Sequence, residues 1–98
     1  MNTYALCIKR TYKDLTTSID KDVFEIVDVY GNQEEAEDAL LGYDVYARLY
    51  LNKIDTKGIF KSFVSKVITF EGQVTKEQAQ AMMDASGYTI FYMNQKSR

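Results

Sequence analysis

Between Asp22 and Ala47 the chain carries eight carboxylates, Asp22, Glu25, Asp28, Glu34, Glu35, Glu37, Asp38 and Asp44, and not one lysine or arginine. Three kinds of chemistry use acids at this density. Acid–base catalysis needs two carboxyls in surroundings that push their pKa values apart, usually by burying one against an apolar wall. Glu34, Glu35, Glu37 and Asp38 fall on the solvent-facing turns of a short predicted helix, which offers no such wall. Calcium or magnesium needs oxygen ligands alone, but an EF-hand needs alternating Asp/Asn positions closed by a glutamate, and Asp20-Lys21-Asp22 is only a fragment of that spacing. The third use is electrostatic: like charges gathered on adjacent elements raise a negative field that a basic partner feels.

The rest of the composition narrows the choice in the same direction. Histidine is absent, which removes the commonest general base near neutral pH and the commonest ligand for zinc, copper or iron. The five glycines (Gly31, Gly42, Gly58, Gly72, Gly87) stand apart and form no phosphate-cradling motif. The one cysteine, Cys7, has no partner for a disulfide and lies inside an alternating apolar segment, so it reads as a small core residue in a reducing compartment. No catalytic residue, cofactor site or metal site is predicted, and the expectation is a non-enzyme.

Tyrosine is the other abundant chemical group, with eight in 98 residues. Tyr46, Arg48 and Tyr50 are predicted to share one strand face, and Tyr88 and Tyr92 another. Aromatics with an arginine on a sheet can stack single-stranded nucleic acid. The acidic run beside them opposes phosphate, and rings so placed also serve as core margin or as a dimer face.

Several elements must position these groups. Thr3–Lys9 alternates, with Tyr4, Leu6 and Ile8 on one side and Ala5 and Cys7 on the other, which predicts a strand buried on one face and partly on the second. Residues 11–22 are polar with little periodicity and read as a long connecting loop. Val23–Tyr30 alternates again. Asn32 and then Glu35 make a capping-box-like start for a helix over 33–41, with Ala36, Ala39 and Leu40 inward and acids suited to the positive end of its dipole.

Gly42 decides the nature of the next element. A helix continuing to Leu51 suits the spacing of Ala36, Leu40, Tyr43, Ala47 and Tyr50, but glycine costs about 1 kcal/mol inside a helix and is favoured just past its end. From Tyr43 to Asn52 the residues also alternate, which favours a strand. The segment Gly42-Tyr43-Asp44-Val45-Tyr46 parallels Gly87-Tyr88-Thr89-Ile90-Phe91, each preceded by an Ala-containing helical pattern, as if two copies of strand, cap, helix, Gly-Tyr, strand stood in tandem. Ile54–Gly58 reads as a hairpin turn leading into a strand over 59–70, for which a helix is the rival. Thr75 caps a second helix to Ser86, with Ala79, Met82, Met83 and Ala85 inward, and Tyr88–Met93 forms the last strand. Residues 94–98 are a basic, frayed tail.

The predicted fold is a single small α+β domain of order ββαββαβ, a mostly antiparallel five-stranded sheet with two helices on one face. No apolar run is long enough to span a bilayer and no leader pattern opens the chain, so a cytoplasmic protein is expected. The charge is segregated, with residues 1–21 and 48–98 net basic on either side of the acidic run. Part of that run simply solvates outer faces.

In size, acidity and tyrosine-rich α+β make-up the chain resembles small phage-encoded inhibitors of bacterial defence, such as anti-CRISPR proteins. That resemblance is one of type across the whole chain and rests on no motif. Independently of it, an acidic helix with flanking acidic strands and tyrosines predicts a binding protein that places carboxylates where phosphates would lie on a basic, nucleic-acid-handling partner. The residues predicted to make the contact are Glu34, Glu35, Glu37, Asp38, Asp44, Tyr46 and Tyr50. The alternatives are a structural or regulatory homodimer and a single-strand binder through the Tyr/Arg face.

Overall fold

The computed structural model describes the backbone of residues 1–50 and 58–93 and the side chains of 1–43 and 61–92. Three strands and two helices occur in the order β1 (Asn2–Asp14), β2 (Asp20–Tyr30), α1 (Gln33–Tyr50), β3 (Gly58–Glu71) and α2 (Lys76–Met93). The strands form an antiparallel sheet of order β2-β1-β3, so β1 is central and hydrogen-bonds to both neighbours along most of its length. The class is α+β.

β1 carries apolar residues on both of its faces, and each face takes its own helix. Ala5 and Cys7, with Ile26, Ile68 and Phe70 from the flanking strands, pack against Ala79, Met83 and Phe91 of α2. Ile8 points the other way and packs with Val27, Phe63 and Tyr43 of α1. The expectation of two helices on one face is therefore corrected: a strand with Leu6 and Ile8 fully buried on one side and Ala5 and Cys7 on the other needs cover on both.

The five-strand order is corrected as well, because the two Gly-Tyr segments are helical as far as they are described. α1 runs through Gly42 to Tyr50 instead of turning into a strand at Tyr43. Among the described residues nothing comes within 4 Å of where a Gly42 Cβ would stand, so this position costs only its intrinsic propensity, and the spacing of Ala36, Leu40 and Tyr43 outweighs it. Residues 51 and 52 of the predicted strand, the turn residues 54–57 and the tail 94–98 lie outside the described residues. In α2 the chain does break step, with Ser86 at φ −145°, ψ 37°, but it resumes as helix to Met93. The inward stripe Ala79, Met83, Gly87, Phe91 keeps a spacing of four across that kink, and Met82 and Ala85, predicted inward, are exposed.

Gly87 is buried because it sits on a ring. A Cβ there would come within 2.6 Å of Phe24, whose ring packs 5.4 Å from that of Phe91. Residues 11–22 are not the long loop expected. β1 and β2 run on as a polar hairpin with only 15–19 outside it, supported by Thr11 Oγ1 donating to Asp22 (2.8 Å) and by the Lys21–Asp14 pair (3.3 Å). At its tip Asp14 Oδ1 accepts from the amides of Thr16 (2.7 Å) and Thr17 (3.3 Å), and Ser18 takes a positive φ of 62°. The strand over 59–70 forms as predicted, as part of β3.

Candidate docking face

α1 starts where the sequence places it. Asn32 Oδ1 accepts from the Glu35 amide (3.2 Å), and Glu34 and Glu35 lie in the first turn, where the exposed amides favour negative charge. Ala36 is wholly buried, so Glu34, Glu35, Glu37 and Asp38, all exposed, spread over the remaining faces. Gln33 Nε2 donates to Glu37 (3.0 Å). Among the described residues none of the four carboxylates pairs with a lysine or arginine.

The acids of the hairpin behave differently. Glu25 faces Arg10 at 3.7 Å, Asp20 meets Lys61 at 2.9 Å, and Asp14 meets Lys21. Backbone amides and Lys21 together hold the Asp14 carboxyl below its ordinary value. The continuous acidic run of the sequence is thus split by the fold. In its β2 half Glu25 meets Arg10 and Asp22 accepts from Thr11, both of β1, while Glu34, Glu35, Glu37 and Asp38 at the start of α1 stay open.

The remaining predicted contact residues, Asp44, Tyr46 and Tyr50, lie on the backbone of α1 rather than on a strand; their side chains are outside the described set. At 1.5 Å per residue Tyr50 stands about 24 Å along the axis from Glu34, so the helix separates the tyrosine end from the acidic end. The Tyr46, Arg48, Tyr50 sheet platform does not form, since all three belong to α1. Tyr88 and Tyr92 do come together, one helical turn apart with ring centroids at 4.6 Å. Their neighbours are two lysines that serve the fold. Lys66 Nζ donates to the Phe91 carbonyl (3.0 Å) and lies 4.2 Å from the Phe91 ring centroid, while Lys9 donates to the Tyr92 hydroxyl and sits over its ring. Cations at the last turn complement the helix dipole and cap its carbonyls. Burial, aided by the charge of Lys9, lowers the Lys66 ammonium from its ordinary value.

A feature with no signature in the sequence lies beside the open acids. Both helices begin at the same end of the sheet, and there Met1, Asn2, Thr3, Val29, Tyr30, Gly31, Gln73 and Val74 enclose a cleft of 360 Å³. Thr3, buried, builds its wall: its hydroxyl donates to the Gly72 carbonyl (2.7 Å) and accepts from the Val74 amide (3.0 Å). Gly72 closes the turn at φ 80° and donates to the Met1 carbonyl (2.8 Å). Burial, and after it the charges of Asp28 and Glu35, push the Tyr30 phenol above its ordinary value. No periodicity marks this cleft, because its walls come from the start of β1, the end of β2 and the connections that follow β2 and β3.

No family model, curated protein or solved structure matches the chain. Among the described residues no group of acids or thiol is arranged to hold a metal ion, and no helix is long and apolar enough to cross a membrane.

Proposed function

We propose that the protein is a non-enzymatic binding module whose acidic α1 start docks on, and occludes, a basic surface of a nucleic-acid-handling protein. One observation carries this reading: Glu34, Glu35, Glu37 and Asp38 are exposed and without a lysine or arginine partner among the described residues, whereas Asp14, Asp20 and Glu25 of the hairpin each have a cation. Charges left unpaired in water add little to a fold but set orientation and association rate with an oppositely charged partner. A small inhibitor of the phage-encoded type would use such a face as a phosphate mimic.

The test is capture of binding proteins from nuclease-treated bacterial lysate by the wild type and by a Glu37→Lys, Asp38→Lys double variant. These two positions lie past the first turn, so reversing them leaves the N-terminal dipole contacts of Glu34 and Glu35 in place. A stoichiometric protein retained by the wild type and lost by the variant, at unchanged melting temperature, supports the reading. Equal retention by both sinks it.

A homodimer is the second reading, favoured by the edge of β3. Gln80 blunts the β2 edge by bonding the Ile26 amide (2.7 Å) and the Phe24 carbonyl (3.0 Å), much as an added strand would. β3 has β1 as its one strand neighbour among the described residues. A mass that doubles with concentration in sedimentation equilibrium would support this reading.

A further inference from the structure

We infer that the cleft at the start of the two helices receives an arginine side chain of the partner, its stem against the apolar walls and its guanidinium toward the surrounding carboxylates. The inference rests on the docking reading above and names the group that the acidic end would seat.

Shape, lining and charge each bear on it. At 360 Å³ the cleft is roomy enough for one long side chain, and Val29 and Val74 give it apolar walls, with the exposed Met1 at its border. Tyr30 adds a ring, over which a guanidinium stacks more favourably than an ammonium. The segments that build this end, residues 1–6, 26–36 and 71–78, hold five carboxylates (Asp28, Glu34, Glu35, Glu71, Glu77) against two cations, Lys76 and the α-ammonium of Met1 at the cleft itself. Two of those acids, Asp28 and Glu35, lie close enough to act on the Tyr30 hydroxyl. The two helix N-termini would otherwise make this end attractive to anions, but Asn32 and Thr75 cap them. Thr75 Oγ1 accepts from the Gln78 amide (3.1 Å) and the Gln78 side chain takes the Thr75 amide in return (2.9 Å). What remains is an apolar slot in a negative field, the complement of a long aliphatic stem with a planar cation at its tip.

The test is a titration of isotope-labelled full-length protein with N-acetyl-arginine amide, monitored by amide chemical shifts, with N-acetyl-norleucine amide as the uncharged control. A single side chain should bind in the millimolar range. The expected result is a saturable shift at Val29, Tyr30, Gly31 and Val74, several-fold tighter for the arginine amide than for the norleucine amide and weakened by salt. Glu35→Gln should loosen it about 2- to 5-fold while the spectrum stays that of the folded protein. Tyr30→Ala should remove it; Glu35→Gln, at an exposed position, keeps the test readable if Tyr30→Ala unfolds.

Equal shifts from both amides, or shifts confined to Glu34, Glu37 and Asp38, would overturn the arginine assignment. A silent titration alongside partner capture that still depends on Glu37 and Asp38 would overturn the cleft alone and leave the docking face standing. A specific arginine shift together with capture indifferent to Glu37 and Asp38 would support the cleft while the docking reading fails.

Discussion

The two helices have the same length, open with the same kind of cap and contain the same Gly-Tyr pair, yet they are held to the sheet in different ways. α2 presses a continuous stripe, Ala79, Met83, Gly87 and Phe91, into the larger core; Lys9 and Lys66 of the strands bond its last turn, and its own Gln80 bonds strand backbone. α1 gives the opposite face Ala36, Leu40 and Tyr43 and leaves the rest of its first turns charged. One helix is committed to stability, and the other is free to present a surface. The glycines show the same division, since Gly87 is required by a ring packed onto the backbone while Gly42 faces open space.

Four experiments would sharpen or break that contrast. Phe91→Ala, which empties the best-packed position of α2, should cost about 3–5 kcal/mol in denaturant unfolding, and Leu40→Ala on α1 less than about 2 kcal/mol. Similar losses at both positions would end the distinction. Gly87→Ala should destabilise by about 1–3 kcal/mol because the new Cβ must displace the Phe24 ring. Gly42→Ala should do the reverse, raising stability by about 0.5–1 kcal/mol, read as a higher melting temperature.

Removing the caps should not tell the helices apart: Asn32→Ala and Thr75→Ala should each cost about 1 kcal/mol. A loss at Asn32 far above that would mean that α1 contributes more to the fold than its packing indicates.

The smallest effect belongs to pH and lies on the hairpin. Asp14 has its carboxyl held below the ordinary value, so its contribution is complete above pH 4 or so and is lost as pH falls through the lower folded value. Asp14→Asn should therefore lower the melting temperature slightly at neutral pH, with the gap to wild type closing in acid. A gap that persisted in acid would assign the effect to hydrogen bonding at the tip rather than to charge.

What could be read ahead of the structure was local chemistry. The Asn32 and Thr75 caps, the inward Ala36, Ala79 and Met83, the two-faced β1 and the β-branched strand over 59–70 all arise from residue type and spacing within a few positions. The errors came where tertiary contacts decide. Tyr43–Asn52 and Tyr88–Met93 alternate well enough to pass for strands, and glycine argued for a stop before each. Tyr43 instead packs on Ile8; at Ser86 the expected break does occur, as a kink, but the chain beyond it goes on as helix, with Gly87 against the Phe24 ring. The polar extension of the β1–β2 hairpin lacked apolar alternation because cross-strand pairs such as Thr11–Asp22, rather than burial, support it. For the candidate site, the open acids were legible and their separation from Tyr46 and Tyr50 was not, since that separation comes from the helical course of α1. The cleft left no trace in any one segment.

Cys7 offers a direct view of how the two halves of this sandwich move. Its thiol is fully enclosed between the sheet and α2, and burial raises its pKa to about 12, so the folded protein presents almost no thiolate to a reagent. It is also the one cysteine in the chain. The rate at which an alkylating agent consumes it therefore counts openings of the α2 side of the molecule. Comparing that rate with global unfolding would show whether α2 lifts away on its own or departs only when the whole fold does.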